Sequence, residues 1–168
     1  TMTGLGDLDG GSFLSEAYGV SSDGTVIVGY GRSTNGVEAF KYVDGTMTGL
    51  GDLTGGGFNS IARAVSDDGT VIVGTGNNVD GNYEAFKYVG TTMTGLGFLA
   101  NDTYFDSNAY AANSDGSVIV GYSKNSDGNV EAFKYVGTTM TGLGFLTGGN
   151  FSSSEAYGVS SDGQTIIE

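Results

Sequence analysis

The sequence contains no cysteine, proline, histidine or tryptophan in 168 residues, and only 6 residues are Lys or Arg. Without cysteine there is no disulfide framework, thiolate nucleophile or thiolate metal ligand. Without histidine there is no Ser–His–Asp triad and no imidazole base or ligand. The 19 acidic residues give a formal net charge of −13. This charge opposes a phosphate backbone, so we expect no nucleic-acid partner.

Long apolar runs are also absent, and no stretch approaches the roughly 20 apolar residues of a membrane-spanning helix. We therefore expect no membrane span. Residues 1–4 lack the basic and apolar regions of a signal peptide, so any export signal lies outside this chain. The hydrophobic fraction of 38% and charged fraction of 15% nevertheless favour a folded protein, with the 32 glycines marking turns.

The chain is a single repeat domain, 1–168, in which one unit is written almost four times. The tetrapeptide Met-Thr-Gly-Leu begins at Met2, Met47, Met93 and Met140. A Ser-Asp-Gly element or its variant follows in every unit, and Glu-Ala-Phe-Lys-Tyr-Val occurs in the first three. The units are 1–45, 46–91, 92–138 and an incomplete 139–168.

Each complete unit is predicted to form four short antiparallel strands, at 16–21, 25–30, 37–43 and 46–50 in the first unit. Asp-Gly and Asn-Gly pairs between the strands are typical hairpin turns. No window has a helical apolar period, so almost no helix is expected. A four-stranded unit of this length predicts an all-β fold of propeller-like blades, partial or completed by oligomerisation, with the first two strands innermost.

The combined motifs resemble the HAF-type extracellular repeat, named for a His-Ala-Phe triplet. The shared pattern is Gly-Leu-Gly-x-Leu, Ala-x-Gly-Val-Ser-x-Asp-Gly, Val-Ile-Val-Gly and x-Ala-Phe. The resemblance covers essentially the whole chain and implies a secreted or surface-attached bacterial protein with propeller-like repeats. It implies no reaction. The chain departs from the pattern in the triplet, where the histidine position holds Glu38, Glu84 and Glu131.

These three glutamates could act as acids, bases or cation ligands. Because one occurs in every complete unit, we favour a structural hydrogen-bond acceptor that joins one blade to the next. The loops before the third strands are weak calcium candidates, since calcium prefers carboxylate and carbonyl oxygens. The candidate ligands are Asn77, Asp80, Asn125 and Asp127. Plain hairpin connections are the alternative interpretation, and no other cofactor is expected.

Aromatic residues recur in the variable segment before each first strand. Beside small polar residues they could stack on sugars; the favoured alternative is that each seals the edge between adjacent blades. The candidates are Phe13, Phe58, Tyr104, Phe105 and Phe151. Residues 101–108 diverge most and are the first place to look for specificity.

The leading hypothesis is a non-enzymatic extracellular or cell-surface scaffold, structural or self-assembling. The chain begins with a fourth-type strand and lacks the third strand of its last unit, so a closed four-blade ring is not expected. Either the chain is a fragment of a longer array with further repeats, or other chains close the ring, and open strand edges favour self-association. The alternative is a soluble propeller module that binds a glycan or a protein. An enzyme with paired carboxylates is disfavoured, because no unique acidic pair stands apart from the repeats.

Overall fold

The computed structural model describes residues 1–100, 105–147 and 152–168. These residues form β-strands, turns and loops and contain no helix. Three four-stranded antiparallel sheets and one two-stranded sheet follow one another along the chain. The strands are β1 Gly10–Val20, β2 Val26–Ser33, β3 Val37–Val43, β4 Thr46–Gly49, β5 Ser60–Val65, β6 Val71–Asn77, β7 Tyr83–Val89, β8 Thr92–Gly95, β9 Ser107–Ala112, β10 Val118–Lys124, β11 Val130–Val136, β12 Thr139–Gly142, β13 Gly158–Val159 and β14 Ile166–Ile167.

Each four-stranded sheet is a meander in which every strand pairs with its neighbours in the sequence. Sheet 1 is β1–β4, sheet 2 is β5–β8, sheet 3 is β9–β12 and sheet 4 is β13–β14. The first strands of successive sheets contact one another, whereas the short fourth strands do not adjoin the next sheet's fourth strand. The sheets are therefore arranged radially with the first strands innermost, which confirms the predicted propeller-like blades.

The start of the chain differs from the prediction. Residues 1–9 form no strand, although their sequence matches the fourth strands of the other units. In those units the fourth strand is hydrogen-bonded to the third, as Thr46 to Gly49 pair with the end of β3. Among the described residues no third strand lies beside residues 1–9, so their backbone has no ladder to join in this structure. Strand β1 in turn begins at Gly10, six residues earlier than expected, because Gly10 pairs with Ser33.

The hairpin turns between first and second strands form as predicted. Gly24 has a φ of 74°, and its three counterparts have φ values of 74°, 67° and 71°. These left-handed conformations favour glycine. Adjacent turns are also joined, since Ser22 N–H donates to the Asp67 carbonyl (3.1 Å) and Ser114 N–H to the Ser161 carbonyl (3.3 Å). The turns thus tie neighbouring sheets together at one end of the inner strands.

The core lies between sheets rather than within one sheet. Val28 and Ala39 of sheet 1 pack in one cluster with Ala62, Ile72 and Phe86 of sheet 2. A second cluster joins sheets 2 and 3 through the equivalent residues, and a third joins sheets 3 and 4. Full burial of one such side chain is worth about 1.5–3 kcal/mol. Each sheet therefore depends on its neighbours for stability.

Among the described residues, no helix has the length and hydropathy that a membrane crossing requires.

Candidate functional site on the inner strands

The first strand of each sheet has two chemically different sides, because alternate residues of a strand point to opposite faces. One side, here called the repeated side, carries the same Ser-x-Ala pair in every unit. Its members are Ser15 with Ala17, Ser60 with Ala62 and Ser107 with Ala109; in the fourth unit the equivalent Ser154 and Ala156, and the residues 155 and 157 beside them, lie just before β13. The other side, here called the variable side, carries different residues in different units.

The repeated side docks each sheet onto the sheet before it. The Ser60 hydroxyl accepts a hydrogen bond from Ala39 N–H of sheet 1 (3.0 Å). It also donates to the Gly51 carbonyl (2.6 Å), which lies in the linker between β4 and β5. Ser107 makes the same pair of bonds with Ala85 N–H (2.9 Å) and the Gly97 carbonyl (2.8 Å). Ser154 repeats them in sheet 4. We call this arrangement the serine bridge.

The glutamates of the Glu-Ala-Phe motif bind the same linkers, because their carboxylates accept hydrogen bonds from linker N–H groups. Glu84 Oε1 accepts from Gly97 N–H at 3.0 Å, and Glu38 and Glu131 make the equivalent bonds to the next linker glycines. A Cβ at Gly95 would collide with the Glu84 carboxylate, so a larger residue there would displace this side chain from its position. The glutamates are thus hydrogen-bond acceptors, as expected, but the N–H that each one binds belongs to the linker after the fourth strand of its own sheet and not to a neighbouring blade.

The calcium candidates lie in turns whose polar atoms already have protein partners. Asn125 Oδ1 accepts from Asp127 N–H and Asn129 N–H at 3.1 Å each, and its amide donates to Glu131 Oε2 at 2.8 Å. The residue that corresponds to Asn125 in the second unit is Asn78, which bonds to Glu84 in the same way. These bonds support hairpin connections, the alternative interpretation of the loops.

The two candidates in the second unit need separate description. Asp80 donates its N–H to Asn78 Oδ1 within the turn, at 3.1 Å. Asn77 precedes the turn, and its buried Oδ1 has no hydrogen-bond partner in the structure. No group of three or more acidic residues within reach of one metal ion occurs among the described residues. Calcium binding at Asn77, Asp80, Asn125 or Asp127 stays a prediction.

The loop aromatics do not form one site. Phe13 is 99% exposed, so it seals no edge between blades, and the favoured interpretation is wrong for this residue. Phe58 is 40% exposed, and Phe105 packs edge-on against Phe98 with ring centroids 5.3 Å apart. Tyr104 and Phe151 lie outside the described residues, as does the part 101–104 of the divergent segment.

The residue that follows the Gly-Leu-Gly motif changes the contacts around these phenylalanines. In the first two units Asp7 and Asp52 follow the Gly-Leu-Gly motif, and each carboxylate accepts from the backbone N–H that follows Phe13 or Phe58. In the third unit Phe98 takes the aspartate position and packs on Phe105 instead. Phe58, with its aspartate linker, and Phe105, with its phenylalanine linker, are nevertheless 40% and 39% exposed, so the linker residue changes the contacts of the loop and not the exposure of the ring.

The variable side brings together residues that the sequence did not single out. It combines tyrosines with carboxylates, one arginine and one asparagine. Its members are Glu16 and Tyr18, Ile61 and Arg63, Asn108 and Tyr110, and Glu155 and Tyr157, from sheets 1 to 4 in turn. Second-strand residues Tyr30, Thr75 and Tyr122 pair beside them.

Hydrogen bonds and ring contacts join this side across the sheets. Tyr110 OH donates to Glu155 Oε2 at 3.1 Å, and the Tyr110 and Tyr157 rings stack with centroids 5.2 Å apart. In sheet 1, Tyr30 OH donates to Glu16 Oε1 at 2.8 Å. That bond to a carboxylate raises the pKa of Tyr30 to about 12. Burial, followed by the charge of Glu155, raises the pKa of Tyr110 as well.

A groove of about 410 Å³ opens on the variable side between sheets 2 and 3. Its lining residues are Asn59, Ile61, Arg63, Thr75, Tyr83, Asp106, Asn108 and Tyr122. Arg63 Nε donates to Asn108 Oδ1 at 2.9 Å, and the guanidinium lies 5.3 Å from the centroid of the Tyr110 ring. Burial raises the pKa of the Asp106 carboxyl in the same groove, and the nearby Lys124 charge opposes that rise.

Sequence reasoning missed Arg63, although the repeat itself contains a signal. Directly after the repeated alanine the units read Tyr18, Arg63, Tyr110 and Tyr157, so the second unit departs from the other three. A position that varies between near-identical units is free of the packing that fixes its neighbours. Aligning the units by strand side would have drawn attention to this residue.

Solved structures with the same arrangement of sheets are β-propellers. TolB from Acinetobacter baumannii has a TM-score of 0.63 and 19% identity, over 91% of this chain and 37% of that chain. A protein from Agrobacterium tumefaciens described as a TolB has a TM-score of 0.58 and 16% identity, over 78% of this chain and 49% of that one. This chain therefore spans less than half the length of either protein.

A fucose lectin from Kordia zhangzhouensis, solved with methyl-fucoside, has a TM-score of 0.46 and 12% identity, covering 83% of this chain and all of the lectin. That likeness is too loose to bear on what this chain binds. No protein-family model and no curated protein sequence matches the chain. The comparisons therefore define the class of the fold, a tandem array of β-propeller blades.

Proposed function

We propose that this chain is a non-enzymatic interaction scaffold of propeller blades that assembles by packing one blade face onto another. The observation that carries the proposal is the exposure of the repeated side in sheet 1. Ala62, Ala109 and Ala156 are each 0% exposed, whereas the equivalent Ala17 is exposed. Ala17 therefore lies on a docking face that no neighbour covers in this chain.

The residues around Ala17 follow the same trend. Val20 is 58% exposed, while Val65 at the same position of the second unit is 9% exposed. Ile27 is half-buried, while its counterpart Ile72 is 2% exposed. The face of Ala17, Val20 and Ile27, here called the leading face, is therefore apolar surface of the kind the other units bury.

Sheet 4 exposes the complementary face. Ile167 is 62% exposed, although Val28, Val73 and Val120 at its position are all 0% exposed because the next sheet covers them. In the described interfaces this position packs against the residues equivalent to the leading face. We therefore propose that these two faces pack on further blades of the same kind, which a second copy can supply head to tail through Ile167.

The exposed faces of sheets 1 and 4 are better candidates for assembly than the open strand edges that the sequence analysis considered. The outer edge strands β4, β8 and β12 have four residues each. Such short edges present few unpaired backbone groups and are poor templates for strand addition. The net charge of −13 opposes association of two copies, so association should strengthen as salt screens that charge.

The non-enzymatic part of the proposal is supported by the glutamates. Each Glu of the Glu-Ala-Phe motif is engaged by a linker N–H, and these bonds recur in every complete unit. An extracellular or cell-surface location remains part of the proposal and rests on the repeat resemblance. The alternative function, a propeller module that binds a glycan or a protein, is favoured by the Arg63 groove, which is treated below.

Sedimentation velocity over a range of concentrations tests the assembly. We expect reversible association, which Val20→Asp weakens because it places a charge on the leading face. Val89→Asp is the matched control, since Val89 is 47% exposed on β7, away from the leading face. A monomer at all concentrations and salt strengths would refute the proposal. So would association that Val20→Asp leaves unchanged.

A further inference from the structure

The groove between sheets 2 and 3 combines groups that the neighbouring groove lacks. At the positions of Asp106, Asn108 and Tyr122, the groove between sheets 1 and 2 has Asn59, Ile61 and Thr75. At the position of Arg63 it has Tyr18. The strand pairs of all three sheets share the bulge that follows the repeated alanine, although β1 has a second irregularity near its start, so the backbone around these positions is alike. The difference therefore lies in side-chain chemistry alone.

Arg63 is held in place but is not neutralised by the protein. Its Nε donates to Asn108, and Tyr110 packs beside the guanidinium. The hydrogen bonds of the described residues give its two Nη groups no acceptor. An oriented guanidinium with free donors, lining a groove, is suited to binding hydrogen-bond acceptors of a ligand.

The remaining lining supplies acceptors and ring faces. Asp106 brings a half-buried carboxylate, and Tyr83 and Tyr122 bring aromatic rings, with Ile61 between the polar groups. The volume of about 410 Å³ falls within the range of about 300–1,000 Å³ that is usual for small-molecule sites. Donors, acceptors and aromatic faces in one groove match a ligand with hydroxyl groups on an apolar ring.

We propose that this groove binds a neutral saccharide, with Arg63 donating to and Asp106 accepting from its hydroxyl groups. The surrounding charge decides against an anion. Asp106 lies in the groove itself, and Glu16 and Glu155 lie on the same variable side, in a chain of net charge −13. An anionic ligand would be repelled by these carboxylates, whereas hydroxyl groups can use both signs of charge.

The test uses the intact chain and neutral methyl glycosides of glucose, galactose, mannose and fucose at millimolar concentration, observed by two-dimensional NMR of the ¹⁵N-labelled protein. We expect at least one glycoside to shift the signals of residues 61–63 and 106–108. Arg63→Tyr, which installs the residue of the other three units, should weaken binding roughly tenfold or more. Asp106→Asn, which installs the residue of the second unit, should do the same.

Arg32→Tyr is the matched control, because Arg32 is the other arginine of the chain and is exposed away from the groove. It should leave binding unchanged. The thermal unfolding of each variant is recorded to show that it is folded. Arg63→Tyr and Asp106→Asn should fold, because each installs a residue that another unit has at the same position. Acetate and glucuronate serve as anionic probes.

Three results would overturn the proposal. The first is the absence of shifts with every neutral glycoside. The second is binding of acetate or glucuronate in the groove in preference to the neutral probes. The third is glycoside binding that survives both Arg63→Tyr and Asp106→Asn in folded protein. Assembly through the leading face is measured separately, so failure of one proposal does not decide the other.

Discussion

The repeated side and the variable side of the inner strands differ in what they contact. On the repeated side, Ser60 and Ser107 are 0% exposed and bond to two backbone groups of the preceding sheet and its linker. On the variable side, Arg63 bonds to one side chain and keeps its terminal donors free. Both sides belong to the same strand and are separated by one residue step.

This difference shows how a repeat protein can separate stability from recognition. Residues that meet the neighbouring sheet must be the same in every unit, because every interface is the same. Residues on the opposite side of the strand meet solvent or each other, so they can change without disturbing the array. A comparison of units within one chain therefore identifies candidate binding residues without any related sequence.

The largest effect should come from removing a serine bridge. Ser107→Ala leaves the Ala85 N–H and the Gly97 carbonyl buried without their partner, at a cost of about 2–4 kcal/mol in the free energy of unfolding. Ser15→Ala is the matched control, because Ser15 bonds only to the Gly6 carbonyl. We expect it to cost about 0.5 kcal/mol or less in urea denaturation. Equal costs at the two serines would contradict the bridge.

A smaller effect should follow from Glu84→Gln. The glutamine can still accept from Gly97 N–H, but its amide would face the amide of Asn78, which now donates to Glu84 Oε2 at 2.9 Å. Losing this bond to a charged acceptor should cost about 1.5–3 kcal/mol. The hydrogen bonds of Glu38 include no such asparagine, so Glu38→Gln should cost less in the same urea titration. The reverse order would show that the asparagine bond has no energetic weight.

Replacing a residue of the variable side should cost less stability than removing a serine bridge. Arg63→Tyr should lower the free energy of unfolding by about 0.5–1.5 kcal/mol, less than Ser107→Ala, because it removes one hydrogen bond between sheets 2 and 3 and leaves no buried backbone group without a partner. Thermal and urea unfolding both measure this. A loss comparable to that of Ser107→Ala would mean that Arg63 is a structural residue and would remove the distinction between the two sides.

The smallest expected effect is the loss of stability at low pH through the protonation of aspartates. Hydrogen bonds from Thr25 and Ser21 lower the pKa of Asp23 below its ordinary value of 3.8, and turn hydrogen bonds do the same for Asp68, Asp115 and Asp162. Their stabilisation is present above pH 3.8 and is lost as the pH falls through the lowered values. Burial instead raises the pKa of Asp52. Carboxyl NMR titration should therefore find Asp52 protonating first and the turn aspartates last.

Much of the fold could be predicted because the repeat encodes it directly. The Asp-Gly pairs set the hairpins, and the β-branched runs at Val26, Val71 and Val118 set the second strands. The structural role of the glutamates followed from their presence in every complete unit. Position in a repeat is thus a strong guide to packing.

The candidate site was harder to predict, for physical reasons. The contacts of the loop aromatics depend on residues that the repeat pattern does not identify, since Phe105 packs on Phe98 whereas the backbone after Phe13 is bonded to Asp7. The loss of strand structure in residues 1–9 depends on a missing partner strand and not on local propensity. The Arg63 groove requires side chains from two sheets, so no contiguous motif describes it.

Adding one unit to the chain tests the account most directly. Residues 46–91 placed before Thr1 would supply a third strand for residues 1–4 and an alanine N–H for Ser15, as Ala85 supplies one for Ser107. We expect the melting temperature to rise, and we expect Ser15→Ala in the longer chain to cost as much free energy of unfolding as Ser107→Ala. If Ser15→Ala stays nearly neutral there, the leading face is not a docking face and the account is wrong.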